Sequence, residues 1–225
     1  MQMNKVILIP VYNGEYHITS LIKRIREYIS DIVVVDDGST DNTAVLAEKE
    51  EATVIRHKKN KGKGASLHTG IDYILSRDYN IVIVMDADGQ HKPEEIPKFI
   101  EHFNKTRTPI ILGNRIKNAK NMPLVRRITN KIMSTIISKI CHQCIPDSQC
   151  GYRLIKREVF EKIKLLYSNY EIESEILIRA SRRGFKIDSI PITTVYHQEK
   201  SYINPVVDTM RFIRLLINVY REKSE

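Results

Sequence analysis

The sequence predicts an α/β protein built on a mostly parallel, Rossmann-like sheet flanked by helices, with an amphipathic helix at the C-terminus. Two observations predict it. Short β-branched runs alternate with stretches of helical period through the first half of the chain, and several of those runs are continuously apolar rather than alternating. A strand such as Ile81-Val82-Ile83-Val84-Met85 suits a sheet covered on both faces, which implies a parallel, doubly wound arrangement.

In chain order, strands are expected at 5–10, 32–36, 53–56, 81–86 and 110–113, and helices at 16–29, 41–50, 63–75 and 93–103. Pro93, followed by Glu94 and Glu95, marks the start of the last of these helices, because proline is tolerated in a first turn and acidic groups suit its positive end. The second half is less regular. A stripe of Val125, Ile128, Ile132, Ile136 and Ile140 predicts a core-facing helix with a basic outer face, the alternative being a helix lying on a membrane surface. A strand near 152–155, a helix near 172–183, an extended segment at 186–196 and a final helix at 205–220 follow. That last helix is patterned by Val206, Met210, Ile213, Leu216, Ile217 and Tyr220. The expected organisation is one catalytic domain over 1–200 and a helical tail over 201–225, packed on the domain or on a membrane surface.

Composition narrows the function classes. The 225 residues are 42% hydrophobic and 28% charged, as in globular proteins, and the net charge of +9 implies an anionic partner such as a nucleotide or a lipid surface. Aromatic residues are not interleaved with the basic ones, which argues against nucleic acid. No basic leader precedes Val6-Ile7-Leu8-Ile9, and no run reaches the roughly 18 to 20 apolar residues of a membrane span. A cytoplasmic protein is expected, with possible contact at the membrane's inner face. Cys141, Cys144 and Cys150 lack a fourth ligand at zinc-site spacing and are expected to be reduced, partly buried thiols.

Polar residues cluster where the strands stop: Tyr12-Asn13-Gly14-Glu15, Asp36-Asp37-Gly38-Ser39 and Asp86-Ala87-Asp88-Gly89-Gln90. In open α/β sheets ligands bind at those ends. Asp86 and Asp88 need a shared positive charge, and Mg2+ or Mn2+, bound by carboxylates and phosphate oxygens, fits hard oxygen ligands. Asp36 or Asp37 is a candidate acceptor for a base amide. Asn60-Lys61-Gly62-Lys63-Gly64 opens a helix as an anion-binding turn would, yet it is not a Walker loop, and no G-x-G-x-x-G follows the first strand.

Taken together and in this order, Pro10-Val11-Tyr12-Asn13, the 35–41 segment Val-Asp-Asp-Gly-Ser-Thr-Asp, Asn60-Lys61-Gly62-Lys63-Gly64 and Asp86-Ala87-Asp88-Gly89-Gln90-His91 resemble glycosyltransferase family 2. Gly113-Asn114-Arg115, the 147–153 segment and Lys200-Ser201 are similar to the branch of dolichol-phosphate mannose synthases and polyprenyl-phosphate glycosyltransferases. The resemblance implies a glycosyltransferase A fold, Mg2+ or Mn2+, and inverting transfer from a UDP- or GDP-linked sugar to a polyprenyl phosphate. By position it places Pro10, Tyr12, Glu15, Asp37 and Lys63 around the nucleotide. It places Asp86, Ala87, Asp88 and Gln90 at the metal and diphosphate, with Asp86, Asp88 and Gln90 as ligands. Arg115, Arg127 and Ser134 would face the acceptor phosphate, Arg126 being an equal choice. The first motif departs from the family's usual Asn-Glu-Glu, reading Asn13-Gly14-Glu15.

A lipid phosphate needs no catalytic base at neutral pH, because its second ionisation lies near ~6. The alternative, a family 2 enzyme acting on a saccharide or other hydroxyl acceptor in cell-surface polysaccharide synthesis, would need one, with Asp147 and Glu173 as candidates and Glu173 expected to be a solvated residue of an acidic helix start. A non-catalytic nucleotide-binding module is the competing class. A membrane-protein partner is conceivable, since family relatives often continue into membrane spans.

Overall fold

The computed structural model describes residues 3–116, 122, 124–194 and 205–222. Seven strands form one sheet, β1 (Lys5–Val11), β2 (Ile32–Asp36), β3 (Thr53–Arg56), β4 (Ile81–Val84), β5 (Ile110–Asn114), β6 (Arg153–Lys156) and β7 (Ile187–Pro191), in the order β3-β2-β1-β4-β6-β5-β7. Among the described residues eight α-helices surround it: α1 (Glu15–Arg26), α2 (Thr43–Lys49), α3 (Lys63–Leu75), α4 (Ile96–Thr106), α5 (Leu124–Cys141), α6 (Arg157–Lys162), α7 (Ile172–Arg182) and α8 (Pro205–Glu222). A 3-10 turn, Pro93–Glu95, leads into α4.

The apolar strands divide their side chains between two cores, as period-2 alternation requires. Val6, Leu8, Val33, Val35, Val82 and Val84 pack beneath α3, α5, α7 and α8. Ile7, Ile9, Val34, Ile81 and Ile83 pack on the opposite face under α1 and α4.

The sheet is mixed rather than wholly parallel. β6 runs antiparallel to both β4 and β5. The strand Arg153-Leu154-Ile155-Lys156, two apolar residues between two basic ones, has the same pattern in either direction, so only the connection through α5 decides its sense. The antiparallel β6 brings its start, Arg153, beside the C-terminal ends of β4 and β5, pairing with Val84 and Leu112. Helix α6, six residues without a sustained apolar period, was not expected.

Two stripes face differently from the expectation. On α5, Ile137 is buried and Met133, Ile136 and Ile140 pack on the core, whereas Val125, Ile128 and Ile132 are exposed. On α8 the core takes Phe212, Leu215 and Val219, with Leu216 of the expected stripe packed against it, leaving Met210, Ile213 and Ile217 exposed; the side chains of Val206 and Tyr220 lie outside the described residues. Each helix has apolar residues around more of its circumference than one core can cover. The proposed boundary at 200, with Lys200 and Ser201, Tyr196 and the C-terminal residues 223–225, lies outside the described residues. Among the described residues no helix is long and apolar enough to cross a membrane.

Candidate active site

β1 and β4 are neighbours, but the chain leaves β1 toward β2 on one side and returns to β4 on the other, which opens a crevice at their C-terminal ends. The three polar strand ends meet there. The β1 and β2 loops are laced together: Asn13 N donates to Ser39 Oγ at 2.8 Å, Gly14 N to Thr43 Oγ1 at 2.8 Å, and Thr40 N to Asn13 Oδ1 at 2.9 Å. Glu15 Oε2 accepts from Asn42 N at 3.2 Å, so this carboxylate ties the same two loops. Pro10 is buried in β1 and Tyr12 is half-buried at the crevice rim.

The two aspartates of the second motif differ. Asp36 shapes the turn, accepting from Ser39 N at 2.9 Å and pairing with Arg56 at 3.1 Å. Asp37, also buried, accepts from Lys61 N at 3.0 Å and Gly62 N at 2.7 Å, and its Oδ1 lies 2.7 Å from His57 Nδ1. Asp37 therefore builds the Asn60–Lys63 loop rather than standing open toward a base. Gly62 has φ of +97°, a left-handed conformation that glycine adopts without strain. Beneath the loop Ala65 N donates to Ser168 O at 3.0 Å.

Strand β4 ends at Val84, so Asp86 and Asp88 lie in the loop beyond it and not on one strand face. The positive charge beside Asp86 is the chain's own. Lys63 Nζ stands 2.6 Å from Asp86 Oδ1 and also donates to Glu173 Oε1. Glu173 in turn meets Arg153 Nη2 at 3.2 Å. Arg153 is fully buried and spends its other donors on Cys150 O, Ser148 O and Glu173 O, at 2.7, 2.8 and 2.7 Å. His91 Nε2 lies 3.7 Å from Asp86 Oδ2. Burial disfavours the charged forms of both groups, yet Asp86 is held well below the usual carboxylate range by Lys63 and His91, and Lys63 well above its ordinary value by Asp86 and Glu173.

Glu173 is thus a buried member of the site, not a solvated residue of α7. Its partners are 110 and 20 residues away in sequence, and an acidic helix start gave no sign of them. Arg153 and Gly151 lie in the 147–153 segment that carries the resemblance, but neither had an expected role at the site. A Cβ on Gly151 would stand 2.2 Å from Asp86 Oδ2, so the glycine makes room for that carboxylate.

A divalent cation asks for one or two carboxylates and completes its shell with phosphate oxygens and water. Asp86 and Asp88, both half-buried, match that donor chemistry. Asp88 Oδ1 accepts from Gln90 N at 3.0 Å, which folds the motif back on itself beside buried Ala87. Among the described residues no group of three or more His, Cys, Asp or Glu could hold a metal, so oxygens of water or phosphate would have to complete the shell.

Two of the residues expected to face an acceptor, Arg115 and Asp147, are sealed against each other. Arg115 clasps Asp147 through Nε at 2.8 Å and Nη2 at 2.9 Å, and its backbone N adds a third bond at 3.1 Å. Asp147 is 0% exposed and Arg115 5%. Burial alone would raise the Asp147 carboxyl, but the Arg115 hydrogen bonds and charge hold it below its ordinary value. Asp147 is therefore not placed as a base, nor Arg115 as an open phosphate ligand. Ser134 Oγ accepts from Ser148 N at 2.9 Å, anchoring α5 to the same segment. Arg127 is exposed on α5 and lines a groove of about 660 Å³ with Lys131, Ser134, Lys139, Ile116 and Pro146. The side chain of Arg126 lies outside the described residues. The three cysteines are free, Cys141 and Cys150 buried and Cys144 exposed. Burial pushes the Cys150 thiol up to about 12.

A family model described as "Glycosyl transferase family 2" matches residues 6–164. Over 196 residues the chain is 38% identical to an uncharacterized protein of Methanocaldococcus jannaschii, MJ1222, covering 84% of this chain and 81% of that one. Over 236 residues it is 31% identical to the UDP-N-acetylglucosamine--dolichyl-phosphate N-acetylglucosaminyltransferase of Methanococcus voltae, covering 94% of each. Among solved structures, glucosyl-3-phosphoglycerate synthase from Mycobacterium tuberculosis in complex with Mn2+, uridine diphosphate and phosphoglyceric acid matches with a TM-score of 0.74 at 17% identity. That match covers 97% of this chain and 77% of that one, and it speaks to the glycosyltransferase A fold.

Proposed function

The chain belongs to glycosyltransferase family 2, and from that premise we propose that it transfers a sugar, with inversion, from a nucleotide-sugar donor to a phosphate-bearing acceptor. The observation that carries the proposal is the position of Asp86, Asp88 and Lys63, one crevice at the β1/β4 switch point in which anionic and cationic groups converge. Mg2+ or Mn2+ held by Asp86 and Asp88, with Gln90 beside them, would supply positive charge to the departing diphosphate. The chain's own groups do the rest. Asp37 orders the Asn60–Lys63 loop, Lys63 presents its ammonium to the diphosphate, and Pro10, Tyr12 and Glu15 wall the nucleoside side.

For the acceptor, the basic groove under Arg127 and Lys131 suits a phosphate, since guanidinium binds phosphate in a bidentate fashion. Two classes of acceptor compete for it. A polyprenyl monophosphate brings its own anionic oxygen and needs no base, in keeping with the sealed Asp147 and Glu173. The Methanococcus voltae relative is named for such an acceptor. Exposed Leu124, Val125, Ile128 and Ile132 beside the groove would give such a lipid a surface contact. A hydroxyl on a phosphorylated or saccharide acceptor is the second reading, favoured by the likeness to a synthase bound to phosphoglyceric acid. It requires Asp147 or Glu173 to leave its present partner.

The experiment offers purified protein a panel of UDP- and GDP-sugars with Mn2+, and either polyprenyl monophosphate or 3-phosphoglycerate. Glycosylated lipid phosphate supports the first reading and glycosylated phosphoglycerate the second. Donor turnover that neither acceptor accelerates would sink the phosphate-bearing acceptor.

A further inference from the structure

Four charged side chains close the floor of the crevice, and they balance: Asp86 and Glu173 against Lys63 and Arg153. Lys63 is the shared member, bound to one carboxylate of the proposed metal site and to one outside it. Its side chain is 15% exposed and that of Glu173 8%, so neither charge is relieved by bulk water. We infer that Lys63 is a built-in cation that competes with the divalent metal for Asp86, and that Glu173 sets the strength of that competition by drawing the ammonium away. This rests on the reading of Asp86 as a metal carboxylate.

The physics is direct. Asp86 Oδ1 already has a unit positive charge 2.6 Å away, and an incoming divalent ion must share that carboxylate with an ammonium of like sign. At the few-ångström spacing of two cations on one carboxylate, the repulsion weakens metal binding by about tenfold even at high dielectric. Glu173 offsets part of this, because an ammonium with a second carboxylate presents less net charge toward Asp86. Glu173 is accordingly a positioning residue: it acts on the metal only through Lys63. Arg153, with four hydrogen bonds to Cys150, Ser148 and Glu173, fixes where Glu173 stands.

The test is direct titration of Mn2+ alone, without nucleotide or sugar, followed by the paramagnetic resonance of the free ion. Lys63→Met should bind Mn2+ about tenfold more tightly than the wild type, and Lys63→Arg, which keeps the charge, within about twofold of it. Glu173→Gln should move the other way, to about threefold weaker binding. A Lys63→Met affinity equal to or below that of the wild type overturns the inference, as does tighter binding by Glu173→Gln. The two variants differ in sign, so Glu173→Gln decides alone if Lys63→Met fails to fold. Asp86→Asn separates the two levels: Mn2+ binding that survives it contradicts the metal site itself, whereas binding lost in Asp86→Asn but unmoved by Lys63 or Glu173 contradicts only the competition.

Discussion

Two cation–carboxylate assemblies stand at the same edge of the sheet and differ in one respect. Arg115 and Asp147 form a closed pair, joined by two side-chain bonds and buried to 5% and 0% exposure. Lys63, Asp86 and Glu173 form a trio in which one ammonium serves two carboxylates, and Asp86 keeps 24% of its side chain exposed. A closed pair has its donors and acceptors matched and holds two chain segments together. An open trio has a member that can change partners when another charge arrives. The first is a structural clasp between β5 and the segment before β6; the second is where chemistry is expected.

The comparison breaks most visibly in stability. Asp147→Ala leaves the Arg115 guanidinium buried without its carboxylate and should cost about 3–5 kcal/mol. Asp86→Asn, at the half-open site where Lys63 keeps Glu173 as a partner, should cost less, about 1–2 kcal/mol, and urea denaturation of the two variants side by side measures the gap. Equal losses would erase the distinction between clasp and trio.

Gly151→Ala sharpens the other side. Its Cβ would press on the Asp86 carboxylate, so turnover should fall about 100-fold through misplacement of that group while the protein stays folded, as steady-state kinetics and a thermal melt would show.

The pH dependence follows from the clasp. Because the folded-state value of Asp147 lies below its ordinary one, its contribution is fully present above about pH 4 and is lost as the pH falls through the folded value. The stability difference between the wild type and Asp147→Asn should therefore be constant near neutrality and shrink on acidification. A difference that grows toward acid would reverse the assignment.

The smallest effect is expected at the surface. Arg24 and Glu94 share two hydrogen bonds, at 2.8 and 2.7 Å, but both are solvent-exposed, and Arg24→Ala should cost no more than about 1 kcal/mol.

Sequence carried the regular parts of this molecule well. β2, β3 and α3 run over the residues their patterns marked, 32–36, 53–56 and 63–75, because a continuous apolar run or a glycine-lysine helix start is local information. The direction of β6 is not local, since two apolar residues between two basic ones, Arg153-Leu154-Ile155-Lys156, do not encode a sense. The strand-end loops were legible as a cluster for the same reason that the fold was: the sheet brings strand ends together. What the charged residues do with one another was not legible. Glu173 looked like an ordinary acid at a helix start, and only the crossing of α3 and β6 beside it supplies Lys63 and Arg153. Asp147 looked like a base and Arg115 like a phosphate ligand until they were found 32 residues apart and in contact. The stripes on α5 and α8 were visible, but hydrophobic period alone does not say which side a core will take when apolar residues cover more than one.

The most direct test is calorimetric titration of UDP and of GDP into the wild type and Asp86→Asn, with and without Mn2+. Binding of one nucleotide that requires Mn2+ and is lost in Asp86→Asn is the predicted result. Equal binding to both proteins, or binding indifferent to the metal, would contradict a diphosphate held at the Asp86–Asp88 loop.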